Sequence, residues 1–194
     1  VIELDYALLA LEDTAGDPAS LDGVERARAA RFVDPKSRSR FVQVRRALRA
    51  ELSHRLGVPP HAVRFLYGPQ GKPYLDASDL HFSVAHSGDL ALLAFARGAA
   101  IGADLERVRE VSHRAEIARR LFSEPDPRTL EAFFRLWVRH EAVVKCAGTS
   151  ALAPAPASSA FAVLDVPAPA GYAAAVCAAA PALTIAERPL YSAG

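Results

Sequence analysis

Only two cysteines occur in the 194 residues, Cys146 and Cys177, and both stand in apolar runs without the spacing of a metal-binding set. Two thiols make no disulfide framework. That sets aside the disulfide-dense secreted class and suits a reducing cytoplasm. No uncharged apolar run reaches the length of a membrane span and no signal-peptide pattern is visible, so the expectation is a soluble, cytoplasmic protein without a membrane partner. The formal net charge is only +1, which gives no global attraction to nucleic acid, and any basic surface must be local. A phosphate loop of the Gly-x-x-x-x-Gly-Lys-Ser/Thr kind is missing, which argues against a nucleotide hydrolase built on one. Lysine is scarce as well. Lys36, Lys72 and Lys145 are the only three, arginine supplying the rest of the 23 basic residues.

What is present is a chain with 51% hydrophobic residues, enough to bury a core in one domain or in two small halves packed as a unit. Ile2 to Leu11 reads as a strand, Leu21 to Phe32 as a helix, and Lys36 to Leu56 as a longer helix. The long helix has Phe41, Leu48, Leu52 and Leu56 at helical spacing and ends at Gly57. Arg38, Arg40, Arg45, Arg46 and Arg49 decorate its remaining faces. Val63 to Tyr67 and Pro73 to Leu75 suggest extended chain around a Gly-Pro-Gln-Gly turn. Phe82 to Ala85, Leu90 to Ala96 and Ala99 to Asp104 follow as strands. Ser112 to Phe122 reads as a helix. Asp126-Pro127 suits the start of another that runs to Ala147 and stops at Gly148. Ala151 to Ser159 is a loop by composition, and Phe161 to Leu164, Tyr172 to Ala178 and Leu183 to Arg188 are closing strands. The class is α+β, divided as residues 1–100 and 101–194.

Four patterns carry chemistry. Ile101-Gly102-Ala103-Asp104-Leu105-Glu106 puts two carboxylates on alternate strand positions, facing one way, with Leu105 packing beneath. Such a pair suits Mg²⁺, and it equally suits a salt-bridged strand end beside Arg107 and Arg109. Trp137, Glu141 and Lys145 follow at i, i+4, i+8 along one helix face. Glu141 with Lys145 is also an ordinary stabilising pair, and Trp137 an ordinary core residue. Lys72, on its Gly/Pro frame, offers a point charge or is an exposed turn lysine. His86-Ser87-Gly88 at a strand end can donate to a phosphate, although a lone histidine usually has a structural place.

Taken in chain order, Lys72-Pro73, then His86-Ser87-Gly88, then Asp104-x-Glu106, then Trp137-x-x-x-Glu141-x-x-x-Lys145, the four patterns and their spacing resemble the 4′-phosphopantetheinyl transferases, in particular the larger, surfactin-synthetase-activating type. The resemblance implies a Mg²⁺-dependent transfer of the 4′-phosphopantetheine arm from coenzyme A to a serine of an apo acyl or peptidyl carrier protein, as in secondary metabolism, with release of adenosine 3′,5′-bisphosphate. It implies a monomer built as a pseudo-dimer of two similar α+β halves, with coenzyme A between them. Asp104, Glu106 and Glu141 would bind Mg²⁺, with Glu141 as ligand or base. Lys145 would steady the pyrophosphate, Lys72 the nucleotide end and His86 the 3′-phosphate. Arg28 and one of Arg40 or Arg45 would add phosphate contacts. His140 and Ala85 depart from the family's usual lysine and serine. They leave open a non-catalytic module that binds coenzyme A or a carrier protein. The arginine-rich early helices suit docking of an acidic carrier or form a solvated face.

Overall fold

The computed structural model describes residues 1–14, 18–122, 127–149 and 160–191. Numbered in chain order, the strands are β1 (Ile2–Ala10), β2 (Leu66–Tyr67), β3 (Pro73–Tyr74), β4 (Leu80–Ser87), β5 (Leu90–Arg97), β6 (Ile101–Arg107), β7 (Ala162–Asp165), β8 (Tyr172–Ala178) and β9 (Leu183–Glu187). The helices are α1 (Gly23–Ala30), α2 (Pro35–Leu56), α3 (Arg114–Leu121) and α4 (Leu130–Ala147). The α+β class expected from the sequence is the class observed.

The helices begin and end where local chemistry dictates. Asp22 and Glu25 form a reciprocal capping box at α1, at 2.8 and 3.1 Å. Asp34 caps α2, Pro35 takes the first turn, where no amide donor is needed, and Gly57 closes the helix at φ +66°. Gly148 closes α4 at φ +68°, as expected, but the start differs: Thr129 Oγ1 accepts from the Ala132 amide, so Pro127 precedes the helix. Asp126, and the expected loop at Ala151 to Ser159, lie outside the described residues. The Val63 to Tyr67 strand shrinks to two residues, because the Val63 amide closes a 3-10 turn onto Pro60 O.

The arginines of α2 do not all face solvent. Arg49 is buried, with ion pairs of 2.6 Å to both Glu25 and Asp22. Arg45 is buried 3.2 Å from Glu25 Oε1 and donates to the Tyr67 hydroxyl at 2.9 Å. These pairs dock α1 on α2. Arg26, Arg28, Arg31, Arg38 and Arg46 remain exposed.

Four strands form one sheet, in the order β4-β5-β1-β9, antiparallel except that β9 runs parallel to β1. A second sheet runs β6-β8-β7, antiparallel throughout. α2 lays Val44, Leu48 and Leu52 against Phe82, Leu93 and Phe95 of the first sheet. α4 packs on the second through Val138, Ala142 and Cys146. One core spans both sheets, with Leu4, Tyr6, Leu92 and Ala94 on one side and Ile101, Ala103, Leu105 and Val176 on the other.

The two sheets meet where β4 lies beside β6. The Ala179 amide donates to Ala100 O, and Val108 to Gly171 O. Even-numbered residues therefore exchange ladder bonds with β8, and odd-numbered ones turn their amides and carbonyls to the free edge. Side chains satisfy that edge. Ser83 Oγ accepts from the Ala103 amide at 2.9 Å, Ser87 Oγ from the Arg107 amide at 3.1 Å, and Lys72 Nζ donates to Ile101 O at 2.7 Å.

Candidate active site

The site forms on the face of β6 that looks at α4. A Cβ on Gly102 would stand 1.9 Å from Ala142 O and 2.5 Å from the Cys146 amide nitrogen, so only glycine lets the helix lie this close. Asp104 and Glu106 share the face of Gly102, while Ile101, Ala103 and Leu105 fill the core behind. Lys145 Nζ, reaching down from α4, donates to Asp104 Oδ1 at 2.7 Å. Glu141 is one turn earlier and only 9% exposed. Glu106 Oε2 accepts from Ser87 Oγ at 2.8 Å and from Arg109 at 2.7 Å.

Charge in this cluster is unbalanced. Burial raises the Asp104 carboxyl above the usual range, against the pull of Lys145. Burial also raises Glu141, and the negative charges of Asp104 and Glu106 add to it, with Lys145 opposing. Asp104 Oδ2 and Glu141 Oε1 are buried and accept no hydrogen bond from any described residue. Oxygen donors left bare in this way suit a hard divalent cation. Among the described residues, no three carboxylate, imidazole or thiol side chains are already gathered as a metal cage. Lys145 holds Asp104, and Ser87 and Arg109 hold Glu106.

His86 stands at the solvent-facing end of β4. Partial desolvation lowers its imidazole below the ordinary value, and the cations Lys145 and Arg40 lower it further, against Glu106. Arg40, in turn, donates to Asp89 just beyond the His-Ser-Gly turn. A cavity of about 440 Å³ opens beside this cluster, lined by Lys72, Ser83, Glu141, Lys145, Gly148 and Thr149. A larger groove of about 1010 Å³ lies elsewhere, over β1 and α2. Its Asp5 is already paired with Arg55 and Arg188.

The structure thus brings Asp104, Glu106, Glu141 and Lys145 together, with His86 near. Lys72 borders the same cavity but spends its ammonium on backbone carbonyls, and burial holds it below the usual lysine range. Arg45 is not in the cluster: it is buried against Glu25 and Tyr67. Arg28 is exposed, its guanidinium 5.6 Å from the Phe41 ring centre. Trp137 stacks on Phe133 and His140 meets Phe122 edge-on, so both take part in packing. Ala85 is buried in the core. Sequence reasoning gave no role to Ser83, to Ser87 as the partner of Glu106, or to Tyr172. The Tyr172 hydroxyl accepts from the Asp89 amide at 3.2 Å and fills the space where a Gly88 Cβ would be. Only tertiary placement marks these three.

Buried Asp104 and half-buried Glu106 on one strand, faced by an acid and a lysine from one helix, supply the oxygen donors and the fixed cation that phosphate chemistry uses. Residues 100–183 match the family model described as the 4′-phosphopantetheinyl transferase superfamily, and the chain belongs to that superfamily. It is 39% identical to the 4′-phosphopantetheinyl transferase HetI of Nostoc, over 76% of this chain and 66% of HetI. It is 37% identical to the 4′-phosphopantetheinyl transferase AcpT of Escherichia coli K12, over 53% of this chain and 56% of AcpT. Against the 4′-phosphopantetheinyl transferase Sfp of Bacillus subtilis it is 32% identical, over 52% of this chain and 48% of Sfp. The chain therefore spans between about half and two thirds of the length of these relatives.

Proposed function

We propose that this chain transfers the 4′-phosphopantetheine arm of coenzyme A to a serine hydroxyl of an apo acyl or peptidyl carrier protein, releasing adenosine 3′,5′-bisphosphate. The observation that carries this reading is the Lys145–Asp104 pair beside buried Glu141, in a chain of this superfamily.

Asp104, Glu106 and Glu141 would hold Mg²⁺, and the bare oxygens Asp104 Oδ2 and Glu141 Oε1 support that assignment. Bound there, Mg²⁺ supplies Lewis-acid stabilisation to the pyrophosphate oxygens. Glu141 takes the proton of the attacking serine. Without the ion, burial and Asp104 raise its carboxyl; a bound Mg²⁺ would oppose both and favour the carboxylate that accepts the proton. Lys145 opposes the charge that develops on the leaving bisphosphate. His86 meets the 3′-phosphate with Arg40, the one of Arg40 and Arg45 that is not buried against Glu25 and Tyr67, and Arg28 lies further out on α1.

Each sheet carries one long helix, α2 or α4. That supports reading residues 1–100 and 101–194 as the two similar halves of the larger family type; a cytoplasmic monomer in secondary metabolism is the setting proposed with it. The exposed arginines of α1 and α2 offer an acidic carrier a docking face.

The test is intact-mass analysis of an apo carrier protein incubated with this protein, coenzyme A and Mg²⁺. A gain of one phosphopantetheine, absent with Asp104→Ala, is expected. Measurable coenzyme A binding with no gain across fatty-acid, polyketide and peptide carriers would sink the transfer and leave a binding module.

A further inference from the structure

The Lys72 ammonium makes two hydrogen bonds of 2.7 Å, one to Ile101 O and one to Lys145 O. Both acceptors are groups the secondary structure leaves bare. Ile101 lies on the free edge of β6, the edge that carries no ladder. At the end of α4, the Gly148 and Thr149 amides both turn back to Val144 O, so the Lys145 carbonyl waits for another donor. A cation there also opposes the negative end of the helix dipole. Lys72 comes from the β2–β3 turn, whose Gly71 adopts φ +74° and donates to Gly68 O. The lysine therefore reaches the junction from a fixed base. It touches the same residue, Lys145, whose side chain holds Asp104.

We propose that Lys72 is a positioning residue: it clamps the last turn of α4 to the edge of β6 and so holds Lys145 against Asp104, instead of serving the nucleotide end of coenzyme A. Bonded in this way, its ammonium has two of its three donors engaged before any ligand arrives. Removing it frees the C-terminal turn of α4, and displacement of a catalytic group by an ångström costs on the order of a hundredfold in rate. For its effect on turnover this inference rests on the proposed transfer; the clamp itself does not.

With only three lysines in the chain, acylation by an N-hydroxysuccinimide ester followed by peptide mass spectrometry reads each one. The wild-type protein is used, with and without adenosine 3′,5′-bisphosphate, which carries the nucleotide end and no thiol. Lys36, with 45% of its side chain exposed, should react freely, and Lys72 at least about tenfold more slowly in the free protein. Lys72 reacting as fast as Lys36 and becoming protected by the nucleotide overturns the clamp. Lys72→Met should speed hydrogen exchange of amides 146–149 and lower the transfer kcat by roughly ten- to a hundredfold. KM for coenzyme A should stay within about twofold, as expected when ground-state binding is untouched. Lys72→Arg, which keeps two donors, should restore kcat at least in part. A large rise in KM with exchange and kcat unchanged assigns Lys72 to the nucleotide instead. If the wild type transfers nothing, the proposed function fails, while acylation and exchange still decide the clamp.

Discussion

In its proposed role, Glu141 would serve function at the expense of the fold. One of its carboxylate oxygens is buried with no hydrogen bond from any described residue, and burial beside Asp104 disfavours its charged form. Replacing it with Gln removes that charge at nearly constant volume. Glu141→Gln should leave the protein equally or more stable, by up to about 1 kcal/mol or ~2–4 °C in Tm, while transfer falls by about a hundredfold or more, the scale of general-base loss. Calorimetry and the intact-mass assay check the two halves, and full turnover in the variant would remove Glu141 from the base role. His86 makes a pH prediction of the opposite kind. Its folded value is lowered by partial desolvation, by Lys145 on α4 and by Arg40 on α2, with Glu106 on β6 opposing. The unfolded chain therefore takes up this proton first, near the ordinary value of about 6.5. His86 costs no stability above that value, and stability is lost as pH falls from there through the lowered folded value. His86→Gln should flatten this part of the stability–pH curve, measured by urea titration, and an unchanged slope would show that His86 is not depressed.

At the scale of elements, α4 and β6 act as one unit because Gly102 lets them touch. Adding a methyl at Gly102 forces α4 away from backbone atoms that cannot yield. Gly102→Ala should cost about 1–3 kcal/mol, as overpacking does, and should separate Lys145 from Asp104. Its transfer rate should fall more steeply than that of a surface substitution of similar thermal cost, and wild-type activity in Gly102→Ala would contradict the close approach. Much of this unit was legible beforehand. Alternation put Asp104 and Glu106 on one face, helical spacing put Glu141 and Lys145 on another, and Gly148 marked the helix end. The start of α4 was misread because Asp-Pro is as good a local cap as Thr129, and the choice between them is tertiary. Arg45 and Arg49 were read as surface residues because their partners, half-buried Asp22 and buried Glu25, belong to a different helix and its cap. Ser83, Ser87 and Lys72 were opaque for the same reason: what they satisfy is the edge of a strand distant in sequence, and no periodicity encodes that.

At the scale of the molecule, the site lies on a seam that carries no backbone ladder, so its integrity depends on everything that holds the two sheets together. The core that spans them joins Leu4, Tyr6 and Leu92 to Ile101, Leu105 and Val176, and β9 returns from the second sheet to pair in parallel with β1. The Leu183 side chain at the start of β9 is part of that same core. Neither sheet can shed the other without exposing it. Burial of apolar surface is worth about 25 cal/mol per Å², so separating the sheets costs far more than any one seam contact. Thermal unfolding should therefore be a single transition with matching calorimetric and van't Hoff enthalpies, as for a two-state domain. Truncation before Leu183 should lower Tm sharply for the whole chain, not for the first sheet alone. Two resolved transitions in the scan would show that residues 1–100 and 101–194 fold separately. The contact between Ser87 and Glu106 would then rest on docking of two preformed units, and its loss could precede unfolding. A single transition means instead that the carboxylates, Lys145 and His86 are held in register by the global stability of the chain, and that on heating the proposed transfer is lost together with the whole fold.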